Sequence, residues 1–162
     1  MARGSISLPP GRRQTALSDV EMRKAESVFR VLNYTGPIAF EPQAGGRTRF
    51  TLRTDEATGQ EEGLIIIGPD LYPGQAVANP NSVIDALPTA AHEITHYIRW
   101  EEGRELPQGH LDEAMTSLQA ICIFKTALSS LQIEQLVSDA LVRLLQFAAE
   151  SVNESCLTAE KE

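Results

Sequence analysis

The chain has 162 residues, of which 42% are hydrophobic and only 6% aromatic. That suffices for one domain with a mainly aliphatic core and no disulfide support. A net charge of −8 argues against a protein coated in nucleic acid, and no apolar run of roughly eighteen residues exists to span a membrane. Cys122 and Cys156 lie far apart and form no CxxC pair, so neither a disulfide framework nor a Cys-rich zinc site is indicated.

Residues 1–17 are expected to form a flexible arm, with Gly4, Pro9, Pro10 and Gly11 breaking any regular element. The arm has basic residues but no apolar segment of the secretory kind, so a cytoplasmic location is expected. Residues 18–152 should form the folded domain, and 153–162 a polar tail. A first helix is predicted from about Asp19 to Asn33, opened by the capping pair Ser18 and Glu21. Met22, Ala25, Phe29 and Leu32 recur on its inner face, and Gly36-Pro37 ends the element.

Three short strands follow. Ile38–Glu41 is the first. Arg47–Arg53 alternates, with Thr48, Phe50 and Leu52 on one side and Arg47, Arg49 and Arg53 on the other. Gly63–Gly68 carries the apolar run Leu64-Ile65-Ile66-Ile67. The connections are too short for crossover helices, so an antiparallel sheet is expected. Residues 68–82 read as loop. Pro88 then suits a helix start, and that helix should run to about Glu102 with Leu87, Ala91, Ile94 and Ile98 inward. Two further helices are predicted, over about Leu111–Leu128 and Leu131–Val152. The whole is an α+β domain: N-terminal helix, small antiparallel sheet, then three helices.

The chemistry is concentrated in His92-Glu93-Ile94-Thr95-His96. Residues four apart share a helix face, so the His92 and His96 imidazoles can bind one Zn²⁺ at about 2.0–2.1 Å. Glu93 can then take a proton from water at the metal. With three His and sixteen Glu available, chance yields such a motif in about one chain in two hundred. A catalytic zinc needs a third protein ligand and an open fourth position. Extension to HExxHxxGxxH fails, because Arg99 and Glu102 hold the Gly and His positions. Glu113 is the preferred third ligand; His110 and Asp112 compete with it. If Glu113 is the ligand, His110 is a candidate oxyanion stabiliser, against the plainer reading of a solvated loop histidine. Thr116 and Ser117 are candidates to hydrogen-bond the ligand histidines.

HExxH followed by Glu113-Ala114-Met115-Thr116 on a second helix resembles the gluzincins. The order of helix, sheet, apolar strand, HExxH helix and glutamate helix resembles the ImmA/IrrE-like minimal gluzincins in particular. These are small bacterial and phage peptidases that cut helix-turn-helix repressors. Within that group, Ala91–Trp100 together with His110–Ala114 is most similar to the regulatory peptidases of CBASS anti-phage operons. The resemblance implies a zinc endopeptidase, a small helix-turn-helix repressor as substrate, and single-stranded DNA as activator.

Four further expectations complete the reading. Leu64–Ile67 is a candidate edge strand for pairing with an extended substrate. Cys156 is a candidate cysteine switch, its thiolate filling the open metal position; the alternative is an exposed tail thiol. Cys122, on the far side of its helix from Glu113, is expected in the core. Residues 1–53 hold nine basic side chains against four acids, and 54–162 hold five against eighteen. Arg47, Arg49 and Arg53 are therefore candidate nucleic-acid contacts, against the default of a solvated face. Two other functions are compatible with the motif: a catalytically silent metal-bearing sensor, which the intact Glu93 opposes, and a contact-delivered protease effector.

Overall fold

A computed structural model describes residues 11–74 and 80–159, with only the backbone for 80, 81 and 155–159. The fold is α+β, as the sequence predicts: four helices and a three-stranded sheet among the described residues. Helix α1 spans Asp19–Val31, α2 Ala86–Glu101, α3 His110–Phe124 and α4 Ser130–Ala159; strands β1, β2 and β3 span Ile38–Phe40, Arg49–Thr54 and Glu61–Ile67. Short 3-10 turns occupy Pro69–Leu71 and Pro80–Val83. No helix among the described residues is long and apolar enough to cross a membrane.

The start of α1 follows the sequence closely. The Glu21 backbone N–H donates to Ser18 Oγ, and the Glu21 carboxylate accepts from the Ser18 N–H. Two otherwise orphaned donors are thereby satisfied. Ala25 and Phe29 are fully buried, Leu32 nearly so, and Met22 is half-buried.

The sheet departs from expectation in one respect. Its order is β1–β3–β2; β2 pairs antiparallel with β3, but β1 pairs parallel with it. Short connections force antiparallel pairing only between strands joined directly by a hairpin. That holds for β2 and β3, whereas β1 and β3 have all of β2 between them. The central place of β3 explains its unbroken apolar run. Ile65 and Ile67 are fully buried, and each contributes about 1.5–3 kcal/mol by leaving water. β3 is thus not an edge strand.

Helix α2 crosses this sheet and also packs on α1, α3 and α4. Being covered on several sides, it buries Ala90, Ala91, Ile94, Thr95 and Arg99. Gly63 admits its aromatic side chains: a Cβ there would lie 2.8 Å from the Tyr97 ring and 2.9 Å from Trp100.

Both ends of the domain differ from the predicted boundaries. Residues 11–17 are held against the domain at 11–13 and 17, with 14–16 exposed. Arg12 bridges to Pro73, the Arg13 N–H donates to Tyr72 O, and Leu17 is buried; residues 1–10 lie outside the described chain. At the other end α4 continues to Ala159, so 153–159 belong to the helix. Polarity alone hid this, because nothing between Val152 and Ala159 breaks a helix. Cys122 is exposed on α3. That helix is covered by α2 and α4, and its side away from Glu113 faces solvent at Cys122, not core.

Candidate metal centre

Helical spacing places both α2 imidazoles on one face, and the α2–α3 hairpin returns Glu113 to meet them. His92 Nε2 lies 3.1 Å from His96 Nε2 and 3.1 Å from Glu113 Oε2, and His96 Nε2 lies 3.4 Å from Glu113 Oε1. A tetrahedral zinc with arms of about 2.0–2.1 Å has donor–donor edges of about 3.3–3.4 Å. The three donors therefore fit such an ion in type and spacing. Together they form a group able to hold a metal, and they open onto a cleft of about 950 Å³.

The competitors for the third position are accounted for. Asp112 is buried, one oxygen 2.6 Å from Arg99 Nη2 and accepting the Leu106 N–H at 3.2 Å; its other oxygen stays 4.0 Å from His96 Nδ1. His110, the first residue of α3, lines the cleft but pairs with Glu150 on α4 at 3.2 Å. Its Nε2 thus faces Glu150, and among the described residues no hydrogen bond joins it to His92, His96 or Glu113.

Glu93 points to the cleft from the same helix, and its Oε2 accepts the Phe50 N–H at 2.8 Å. Burial raises the Glu93 carboxyl above its ordinary range, helped by the Glu113 charge and opposed by His92, His96 and the Phe50 bond. A carboxyl lifted this way holds a proton more tightly than a free one, as a general base must. Glu113 behaves oppositely. Burial alone would raise it, but hydrogen bonds and charge from His92 and His96 prevail and hold it far below the usual range.

The Phe50 bond shows that the free edge of β2 faces the cleft, and residues 47–52 line it. The strand edge available to an extended peptide is therefore β2, not Leu64–Ile67. Phe50 itself stacks near His96, with ring centres 6.5 Å apart. Arg49 is paired with Glu41 at 2.6 Å, Arg53 with Glu62, and Arg47 reaches Asp70 at 4.0 Å. Acids thus accompany the whole arginine row.

Ser117 and Thr116 stand where the sequence suggested. Ser117 Oγ is 2.8 Å from His92 Nδ1, and Thr116 Oγ1 is 3.4 Å from His96 Nδ1. Three residues escaped the sequence reading. Arg12 anchors a cleft wall through the carbonyls of Asp70 and Leu71 and the Thr89 hydroxyl. Asp139 and Arg143, on α4, reach Ser117 and Glu113. Their only signal was a charged pair at i,i+4 inside an apolar stretch of helix. The Cys156 side chain lies outside the described residues.

One consequence can be measured directly. In the metal-free protein, burial lowers the His96 pKa, but the Glu113 hydrogen bond and the charges of Glu93, Glu113 and Asp112 outweigh this and raise it above 6.5. A metal ion bound there must displace that proton, because only neutral imidazole ligates. Affinity for a divalent metal such as zinc is therefore expected to rise with pH and to keep rising beyond the ordinary imidazole range. Chelator competition between about pH 6 and 8.5 tests this; a plateau already reached below about pH 6.5 would contradict it.

Compared with known proteins, the chain matches no family, no curated protein and no solved structure.

Proposed function

We propose that this chain is a zinc-dependent endopeptidase of the ImmA/IrrE-like minimal gluzincin kind. The observation that carries the reading is the convergence of His92, His96 and Glu113 at tetrahedral spacing, with Glu93 beside them in an open cleft. When bound, Zn²⁺ supplies the Lewis acidity that lowers the pKa of water to about 7. Glu93 takes the proton from the attacking water and returns it to the departing amine. The exposed edge of β2 holds an extended peptide by backbone pairing. Phe50 keeps its N–H on Glu93, which ties the base to the strand that positions substrate. An intact base in this position favours an enzyme over a silent metal-bearing sensor.

The finer assignments rest on the motif resemblance: a small helix-turn-helix repressor as substrate, within an anti-phage operon, and single-stranded DNA as activator. For Arg47, Arg49 and Arg53 to serve as contacts, phosphates must replace their acidic partners Asp70, Glu41 and Glu62.

The test begins with metal analysis. The purified chain is expected to hold about one Zn²⁺. His92→Ala should abolish retention, and Glu113→Ala should weaken it by at least about tenfold. Loss of zinc in His110→Ala with retention in Glu113→Ala would overturn the ligand set. Fragment mass spectrometry of a co-expressed helix-turn-helix protein, with and without single-stranded DNA, then decides substrate and activator.

A further inference from the structure

Asp139 is 4% exposed, on a helix that contributes Leu136 and Ala140 to the buried interior. A buried carboxylate is costly unless fully hydrogen-bonded, and a helix needed only for packing has no use for one there. Its partners explain its presence. Ser117 Oγ donates to Asp139 Oδ2 at 2.8 Å, and Arg143 Nε donates to the same oxygen at 2.8 Å. Ser117 Oγ also meets His92 Nδ1 at 2.8 Å. Arg143 Nη1 reaches Glu113 Oε2 at 3.2 Å, and Glu113 Oε2 faces His92 Nε2 at 3.1 Å. The contacts close a ring through two ligands on two helices and a third helix that supplies none.

Hydrogen-bond direction gives the ring its meaning. A hydroxyl has one proton, and an ionised carboxylate only accepts. Ser117 spends its proton on Asp139, so its oxygen must accept from His92. Nδ1 is thereby held as a donor, so Nε2 is the nitrogen whose lone pair is offered to a metal between Glu113 and His96. Without Asp139, Ser117 can turn and donate to Nδ1, which moves the imidazole proton to Nε2 and blocks ligation. Arg143, bonded to both carboxylates, sets the rotation of Glu113 and balances the buried charge.

We propose that Asp139 and Arg143 are positioning residues of the metal centre, selecting the ligating tautomer of His92 through Ser117 and orienting Glu113, so that α4 is an integral part of the site. The proposal rests on the zinc reading above and concerns only how its ligands are held. Metal-binding histidines are commonly oriented by such outer contacts, whose removal costs about 10- to 100-fold in affinity.

The experiment measures zinc affinity by chelator competition, the visible spectrum of the cobalt-substituted protein, and the metal-free melting temperature. It compares the native chain with Ser117→Ala, Asp139→Asn, their double variant and Arg143→Lys. Ser117→Ala removes one oxygen and keeps the shape. It is expected to weaken zinc by about 10- to 100-fold and to shift the cobalt bands, with little change in the metal-free melting temperature. Asp139→Asn keeps an oxygen that can accept from Ser117 and Arg143 but removes the charge, so its loss should be in the same direction and smaller. The double variant should lose less than the product of the single losses, because both act on one imidazole. Arg143→Lys keeps the charge but cannot bond both carboxylates, so it should not restore native affinity. Zinc affinity within about twofold of native in Ser117→Ala, or strictly multiplicative losses in the double variant, would overturn the proposal. If Asp139→Asn does not fold, Ser117→Ala and Arg143→Lys still decide. Failure of the native chain to retain zinc is a different result, and removes the metal reading itself.

Discussion

Glu93→Gln is expected to fold, to hold zinc like the native chain, and to lose peptide hydrolysis by about 10²- to 10⁴-fold. The amide preserves the shape, and its oxygen can still accept the Phe50 N–H that Glu93 Oε2 accepts at 2.8 Å. The junction between α2 and β2 therefore survives. What disappears is a group able to take a proton from water and return it to an amine. Glu93 is not among the three convergent ligands, so metal content should not fall. The decisive measurement pairs a zinc assay with cleavage of a peptide or repressor substrate in one preparation. Full zinc with a rate within about tenfold of native would mean that another group activates water, and the proposed role of Glu93 would fall.

Asp112→Ala should destabilise the protein by about 3–5 kcal/mol, whatever its function. Arg99 is 3% exposed, and its Nη2 lies 2.6 Å from Asp112 Oδ1. Its Nε has no hydrogen-bond partner among the described residues, so this carboxylate carries most of the compensation for a buried cation. Removing it leaves the guanidinium stranded in low dielectric, which costs more than the pair contributes. The same carboxylate accepts the Leu106 N–H, and Arg99 donates to Arg104 O. Both bonds close the hairpin between α2 and α3. Gly103, at φ 64°, and Gly109, at φ 155°, take backbone conformations there that side chains disfavour. Loss of stability should therefore be accompanied by weaker zinc binding, because this hairpin sets where Glu113 lies. Denaturant unfolding of the metal-free protein measures the first effect and chelator competition the second. A loss below about 1 kcal/mol would show that water or a neighbouring acid replaces Asp112.

Much of the site was readable along the chain because local geometry fixes it. A spacing of four on a helix brings two imidazoles together whatever surrounds them, so His92, Glu93 and His96 were legible from the motif alone. Ser18 and Glu21 announced the first helix for the same reason: a capping box spans a single turn. The apolar run before Gly68 announced a buried strand, and β3 is one. An α+β fold followed from the segregated order of one helix, three strands and then three helices.

What sequence order left open depends on contacts between distant elements. Local patterns describe each strand but not its neighbours, so the parallel β1–β3 pair and the exposed edge of β2 emerged only from packing. Asp112 and Glu113 are neighbours in sequence, but adjacent helical residues point about 100° apart. Which one met the histidines depended on the hairpin that Arg99 closes. Three arginines in a row suggested a free basic face; Glu41, Glu62 and Asp70 accompany them from elsewhere in the chain. Asp139 and Arg143 gave the least warning, since a charged pair on a helix normally faces water. Here the packing of α4 on α3 turns it inward, onto Ser117 and Glu113. Faces of single elements are set by backbone geometry, which sequence spacing reports. The meeting of those faces is set by burial and pairing over long separations, which spacing does not encode.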